Sequence, residues 1–195
     1  MPVCAAQAQF AAAATAAGLH LERATAPWLN RQGHYALPDQ CRDIIPILEQ
    51  AFLLLGGDQT AQRGKTRTPL PGDLMDPDRR IMIETDEVQH FTTHRLATLD
   101  LIPNAYPLGY DPDLYRQLCH THHHKADNYY RRKNATGFGP GGRQRQRAYN
   151  DLLRDLAAPR MCWTLIRIPI LDADGTRAFT DNTTRLTTTN QLHCS

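Results

Sequence analysis

Three carboxylates close in sequence are the most chemically suggestive feature of the chain: Asp73, Glu84 and Asp86, with Gln89 and His90 just beyond. Side chains alternate across a strand, so Glu84 and Asp86 would share one face. Asp73 precedes a turn at Asp76-Pro77-Asp78, and a hairpin folded there would bring it beside the outgoing strand. Three carboxylates in one pocket repel unless a divalent cation neutralises them, and hard oxygen ligands suit Mg²⁺ or Mn²⁺. Gln89 and His90 would add an amide and a titratable imidazole at the rim.

A second signal is charge asymmetry. The formal net charge is only +2, yet residues 125 to 160 carry nine Lys or Arg against three acids, while six acids fall between Asp73 and Glu87. A basic stretch beside a short acidic cluster suits a protein that grips a polyanion and holds a cation against it.

These side chains need elements to position them. Asp39 to Leu55 has apolar residues at helical spacing and ends at Gly56-Gly57; Pro46 fits if the helix begins near it. Asp73 to Met75 and Arg80 to Asp86 read as a hairpin whose second strand is apolar until it ends in carboxylates. Asp111 to Lys133 reads as a helix, Gly137 to Gly142 as a flexible loop, and Arg143 to Pro159 as a helix with a stripe of Ala148, Leu152, Leu153 and Leu156. Trp163 to Pro169 is nearly continuous apolar sequence, as expected inside a mixed sheet. The expected fold class is therefore α/β, a central mixed sheet flanked by helices. Residues 1–38 read as a poorly anchored accessory segment, 39–171 as the core with an insertion at about 92–142, and 172–195 as a polar, loose tail.

The segment Gly72-Asp73, then Glu84-Thr85-Asp86-Glu87-Val88-Gln89-His90-Phe91, followed by a helix and by Leu165-Ile166-Arg167-Ile168, resembles the signature of the PD-(D/E)XK nuclease superfamily, in its very-short-patch-repair-like branch. The match covers about residues 44–90 and 143–170. The superfamily's usual Lys is replaced by Asp86, as in that branch, and the branch's Gly by Glu87. The resemblance implies a restriction-endonuclease-like core and a Mg²⁺- or Mn²⁺-dependent endonuclease acting on nucleic acid, with DNA the expected partner. It also implies an acid on the first helix, for which Glu49 is the candidate.

In-line attack of water on phosphorus needs a metal to activate the water and to offset charge on the leaving oxygen. Asp73, Glu84, Asp86 and Glu49 would ligate it, and Gln89 or His90 would orient water or contact the scissile phosphate. Lys133, Arg143, Arg145, Arg147, Arg154 and Arg167 would hold the flanking backbone, since phosphate contacts position a nucleic acid without reading it. Arg167 in particular, at the end of a core strand, needs a carboxylate or a phosphate as partner. A rival centre is Cys119-His120-Thr121-His122-His123-His124, which resembles the start of the metal-binding helix of HNH nucleases, although no second Cys pair accompanies it. A third reading is a nucleic-acid-binding protein that has lost catalysis through Asp86-Glu87.

Composition bounds the rest. No apolar run approaches the ~20 residues that span a bilayer. The Ala-rich start lacks a basic region before it and does not read as a signal peptide. Five scattered cysteines with no C-x-x-C pair argue against a disulfide scaffold and for a reducing compartment, so a cytoplasmic protein with no membrane partner is expected.

Overall fold

The computed structural model describes residues 5–188. A three-stranded mixed sheet lies at its centre, in the order β1 (Leu74–Asp76), β2 (Ile81–Asp86), β3 (Thr164–Pro169). β1 and β2 form the antiparallel hairpin, with Leu74 opposite Ile83. β2 and β3 run parallel, with Glu84 opposite Arg167 and Asp86 opposite Pro169. The fold class is α/β.

Period-two alternation sends the strands' side chains to two different cores. Leu74, Ile81, Ile83, Ile166 and Ile168 face one helical layer, α1 (Ala5–Ala16) and α7 (Gly175–Thr188), where the Phe10 and Phe179 rings meet edge to face at 5.6 Å. Met75, Met82 and Leu165 face the larger core. That core is built by α2 (Ile45–Leu54), α4 (Thr93–Leu99), α5 (Pro112–Ala126) and α6 (Arg143–Arg160), while the short α3 (Gln59–Arg63) buries only Gln62. Glu84, Asp86 and Arg167 share the parity of Met82 and Leu165, so the hydrophobic alternation that buries the sheet also aims these charges at α6.

Local chemistry explains the boundaries. A 3₁₀ turn over Asp39–Ile44 leads into α2, whose first turn holds Pro46, where a missing N–H costs nothing. Asp111 caps α5 by accepting from the backbone N–H groups of Asp113 and Leu114, and Thr92 caps α4 through the N–H of Arg95. α6 starts after Gly142, where a Cβ would lie 2.4 Å from the Phe138 carbonyl oxygen; only glycine permits that approach.

Several expectations are corrected. Residues 175–188 are a helix, not a loose tail: Phe179 and Leu186 supply an apolar face that covers the sheet, and the Thr-rich composition concealed it. Residues 189–195 lie outside the described residues. α1 is anchored rather than accessory, because Phe10 and Ala14 are fully buried against that same face. The helix expected over Asp111 to Lys133 stops at Ala126, and residues 127–133 form turns. Cysteine pairing also departs from expectation: Cys41 and Cys119 are free and buried, but Cys162 is disulfide-bonded. Among the described residues no helix is long and apolar enough to cross a membrane.

Candidate functional site

A cleft of about 660 Å³ opens where the carboxylate ends of the hairpin meet α6. Asp73, Glu84, Gln89, His90 and Asp151 line it from the sheet side and from α6; Arg31, Lys65, Arg143, Arg147 and Arg154 bring positive charge to it.

The hairpin holds Asp73 and Glu84 together. Asp73 Oδ2 accepts from the Thr85 N–H at 2.9 Å and from Thr85 Oγ1 at 2.7 Å, while the Asp73 N–H donates to Glu84 Oε1 at 3.3 Å. Glu84 is 5% exposed, and its nearest cation is Arg154, whose Nε lies 3.3 Å from Oε1. Burial raises Glu84 to about 7, against the opposing pull of Arg154. Arg154 is itself fixed by donating to the Pro71 carbonyl at 2.6 Å, and its Nη1 lies 3.8 Å from Asp151 Oδ1. A guanidinium thus sits between the carboxylates of Glu84 and Asp151.

Asp86 has a different fate from its strand neighbour. It is 1% exposed and is absorbed by a buried network: Arg167 Nη1 donates to it at 2.9 Å, Tyr115 donates its hydroxyl at 2.9 Å, and His90 Nδ1 lies 2.9 Å away. Arg167 also donates through Nε to Asp155 at 2.7 Å and through Nη2 to the Asp151 carbonyl at 3.1 Å. Arg95 donates to Asp155 at 2.7 Å and to the Tyr110 hydroxyl at 2.9 Å. Three carboxylates are therefore matched by two arginines and an imidazolium. Burial would push Asp86 up, but Arg167 and then His90 outweigh it and hold the carboxyl well below the usual range. Burial would lower His90, yet the Asp86 carboxylate raises it to about 9, so the ring is protonated at neutral pH.

The expected metal ligands are therefore not all brought together. Asp73 and Glu84 meet at the cleft. Asp86 is withdrawn behind Arg167, and Glu49 is half-buried on α2 and does not line the cleft. Among the described residues no group of three or more His, Cys, Asp or Glu is placed to hold a metal ion. Two hard carboxylates remain, which fits Mg²⁺, since that ion keeps most of its waters and takes one or two carboxylates plus substrate phosphate oxygens.

The basic residues divide as well. Arg143, Arg147 and Arg154 line the cleft. Arg167 is a buried structural cation, because strand parity turns it inward onto Asp86 and Asp155. Arg145 clamps loops instead, donating to the Leu55 and Phe138 carbonyls. Lys133 lies outside the cleft, 4.5 Å over the Tyr130 ring. Arg31 and Lys65 come from loops with no periodic signal and were not foreseen. Asp151 was legible in principle: Arg147, Asp151, Arg154 and Asp155 fall at helical spacing on one face of α6.

The rival cluster does not converge. Cys119 is fully buried, and burial raises its thiol to about 12, whereas a zinc ligand must be a thiolate. His120 and His124 are exposed, His122 packs near Phe91, and His123 stacks on His124 at 3.9 Å.

Comparison of the chain with protein-family models, with curated proteins and with solved structures finds no match.

Proposed function

We propose that the cleft binds a nucleic-acid strand, DNA in the first instance, and that the protein is a Mg²⁺- or Mn²⁺-dependent endonuclease with a core similar to that of PD-(D/E)XK nucleases. One observation carries this reading. Arg31, Lys65, Arg143 and Arg147 surround the Asp73–Glu84 pair, and none of the four forms a salt bridge among the described residues. Cations left without protein carboxylates beside a carboxylate pair are what a phosphodiester needs: positive charge for its non-bridging oxygens and hard ligands for a cation beside it.

Lys65 is lowered to about 8 by burial and by Arg31, and so stays largely protonated at neutral pH. Arg147 is held at the rim by donating to the Gln89 carbonyl at 3.4 Å. These groups grip and orient the backbone. His90, fixed by Asp86 and by Asp151 Oδ2 at 3.4 Å, carries a proton that it can give to a leaving oxygen. Asp73 and Glu84 would hold the divalent ion, which when bound supplies a more acidic water and offsets developing charge.

A second reading, binding without cleavage, is favoured by the withdrawal of Asp86 and by the Arg154 guanidinium already seated beside Glu84. Incubation with supercoiled, linear and single-stranded DNA and with RNA, plus Mg²⁺ or Mn²⁺ and a chelator control, separates the two. Metal-dependent scission supports the nuclease; retention of nucleic acid with no scission under any metal supports the binding protein; neither binding nor scission refutes both.

A further inference from the structure

Residues 127–133 make a tight surface loop that does not line the cleft. Arg131, Arg132 and Lys133 are exposed there, none forms a salt bridge among the described residues, and Asn128, Tyr130, Arg131, Arg132 and Lys133 line a crevice of about 370 Å³. Tyr129 is one of the few large hydrophobic side chains left open to solvent among the described residues, at 37% exposure.

The loop is rigidly tied down. Buried Gln144 donates from one side-chain nitrogen to the carbonyls of Ala126 at 2.8 Å and Tyr129 at 2.7 Å. The Arg143 N–H donates to the Lys133 carbonyl at 3.1 Å. Tyr130 is held at φ 54°, a left-handed conformation that a bulky L-residue rarely adopts and that persists only when its surroundings enforce it. Its carbonyl accepts from the Lys133 N–H at 2.8 Å, and Lys133 lies 4.5 Å and Arg147 5.2 Å from the Tyr130 ring centre. Arg147 also lines the cleft, so this ring joins the loop's cations to those of the cleft. With Tyr130 occupied by cations, Tyr129 is the ring left for another planar group.

Resting on the nucleic-acid reading of the cleft, we infer that the 128–133 loop docks an unpaired single-stranded flank of the substrate, one base stacking on Tyr129 while Arg131 and Arg132 take the adjoining phosphates. An exposed aromatic ring close in sequence to exposed arginines on a hydrogen-bonded loop is the chemistry that recognises single strands without reading sequence.

The test is fluorescence anisotropy without divalent metal, using a blunt duplex and the same duplex carrying a single-stranded extension. The wild type should bind the extended probe about tenfold more tightly. Tyr129→Ala should abolish that preference and leave blunt-duplex affinity unchanged, whereas Tyr129→Phe should keep it. Arg131→Ser with Arg132→Ser, which removes only exposed groups, should flatten the salt dependence for the extended probe by about 1.4, since each single-strand phosphate contributes about 0.7. Equal wild-type affinity for both probes, or an equal loss on both in Tyr129→Ala, overturns the inference and leaves the cleft reading standing. Wild-type binding to neither probe defeats the cleft reading itself.

Discussion

Replacing Arg167 with alanine should unfold the protein's polar centre rather than weaken its hold on nucleic acid. Arg167 is 1% exposed and reaches Asp155 at 2.7 Å, Asp86 at 2.9 Å and the Asp151 carbonyl at 3.1 Å. Its removal leaves Asp86, Asp151 and Asp155 facing Arg95, Arg154 and His90, with a cavity where the guanidinium lay. Breaking a buried ion pair by deleting one partner costs about 3–5 kcal/mol. That is a large share of the roughly 5–15 kcal/mol that holds a domain together. At roughly 2–4 °C per kcal/mol for a chain of this size, Tm should fall by roughly 6–20 °C. Urea titration followed by the fluorescence of Trp28 and Trp163 reads the loss directly. Arg167→Met should be nearly as damaging, because it fills volume and leaves the same charges bare. Adding Asp86→Asn to it should recover part of the loss, a coupling that a double-mutant cycle isolates. Should Arg167→Ala unfold at the wild-type midpoint while losing affinity for DNA, the structural assignment of this residue is wrong.

Other measurements address the cleft. Folding raises His90 from 6.5 to about 9, so its contribution to stability is complete below about 6.5 and disappears as pH rises through 9; it should be on the order of 3 kcal/mol, and His90→Gln should remove that slope from the pH–stability curve. Glu84 slopes the same way at lower pH: its rise from 4.5 to about 7 makes stability fall as pH rises through that window and leaves the ionised folded form costly above pH 7, so Glu84→Gln at pH 8 should melt at or above the wild type. In the same thermal-shift assay Mn²⁺ should raise the melting temperature of the wild type and not that of the variant. A cleavage assay should find Glu84→Gln or Asp73→Asn down by a factor on the order of a thousand, with metal-free DNA affinity equal or higher. Arg143→Ala with Arg147→Ala should make the salt dependence of duplex binding shallower by about two units, while His122, His123 and His124 changed together to Ala should leave cleavage within about tenfold.

The hairpin was legible because β2 is both apolar and terminated by charge, and because the turn between the strands is marked by Asp76, Pro77 and Asp78. The pairing of Asp73 with the end of β2 followed from the same register. What the sequence could not convey was depth. Glu84 and Asp86 do share a face, but Asp86 lies where Arg167, Tyr115 and His90 close over it, and those partners come from β3, from α5 and from the turn after β2. The arginines of α6 read as an open basic stretch for a nucleic-acid backbone because its Leu152, Leu153 and Leu156 stripe claims the core. In the fold Asp151, Arg154 and Asp155 are buried too, satisfied by partners distant in sequence. The α7 helix was missed because Thr and Asn dominate its composition and only Phe179 and Leu186 are fully buried among its large apolar side chains.

The docking of α1 on α7 joins segments far apart in sequence. The Gly175 N–H donates to Gln9 Oε1 across 166 residues, and Phe10 meets Phe179 over the sheet. A contact of such long range cannot form until α7 itself has been synthesised. Until then the isoleucine face of β2 lies bare and α1 has nowhere to settle. Gln7, a rim residue of the cleft, rides on α1. The rim of the cleft is therefore completed only once α7 is made, and a nascent chain not yet extended past residue 175 would carry the carboxylates and arginines of the site without its finished rim.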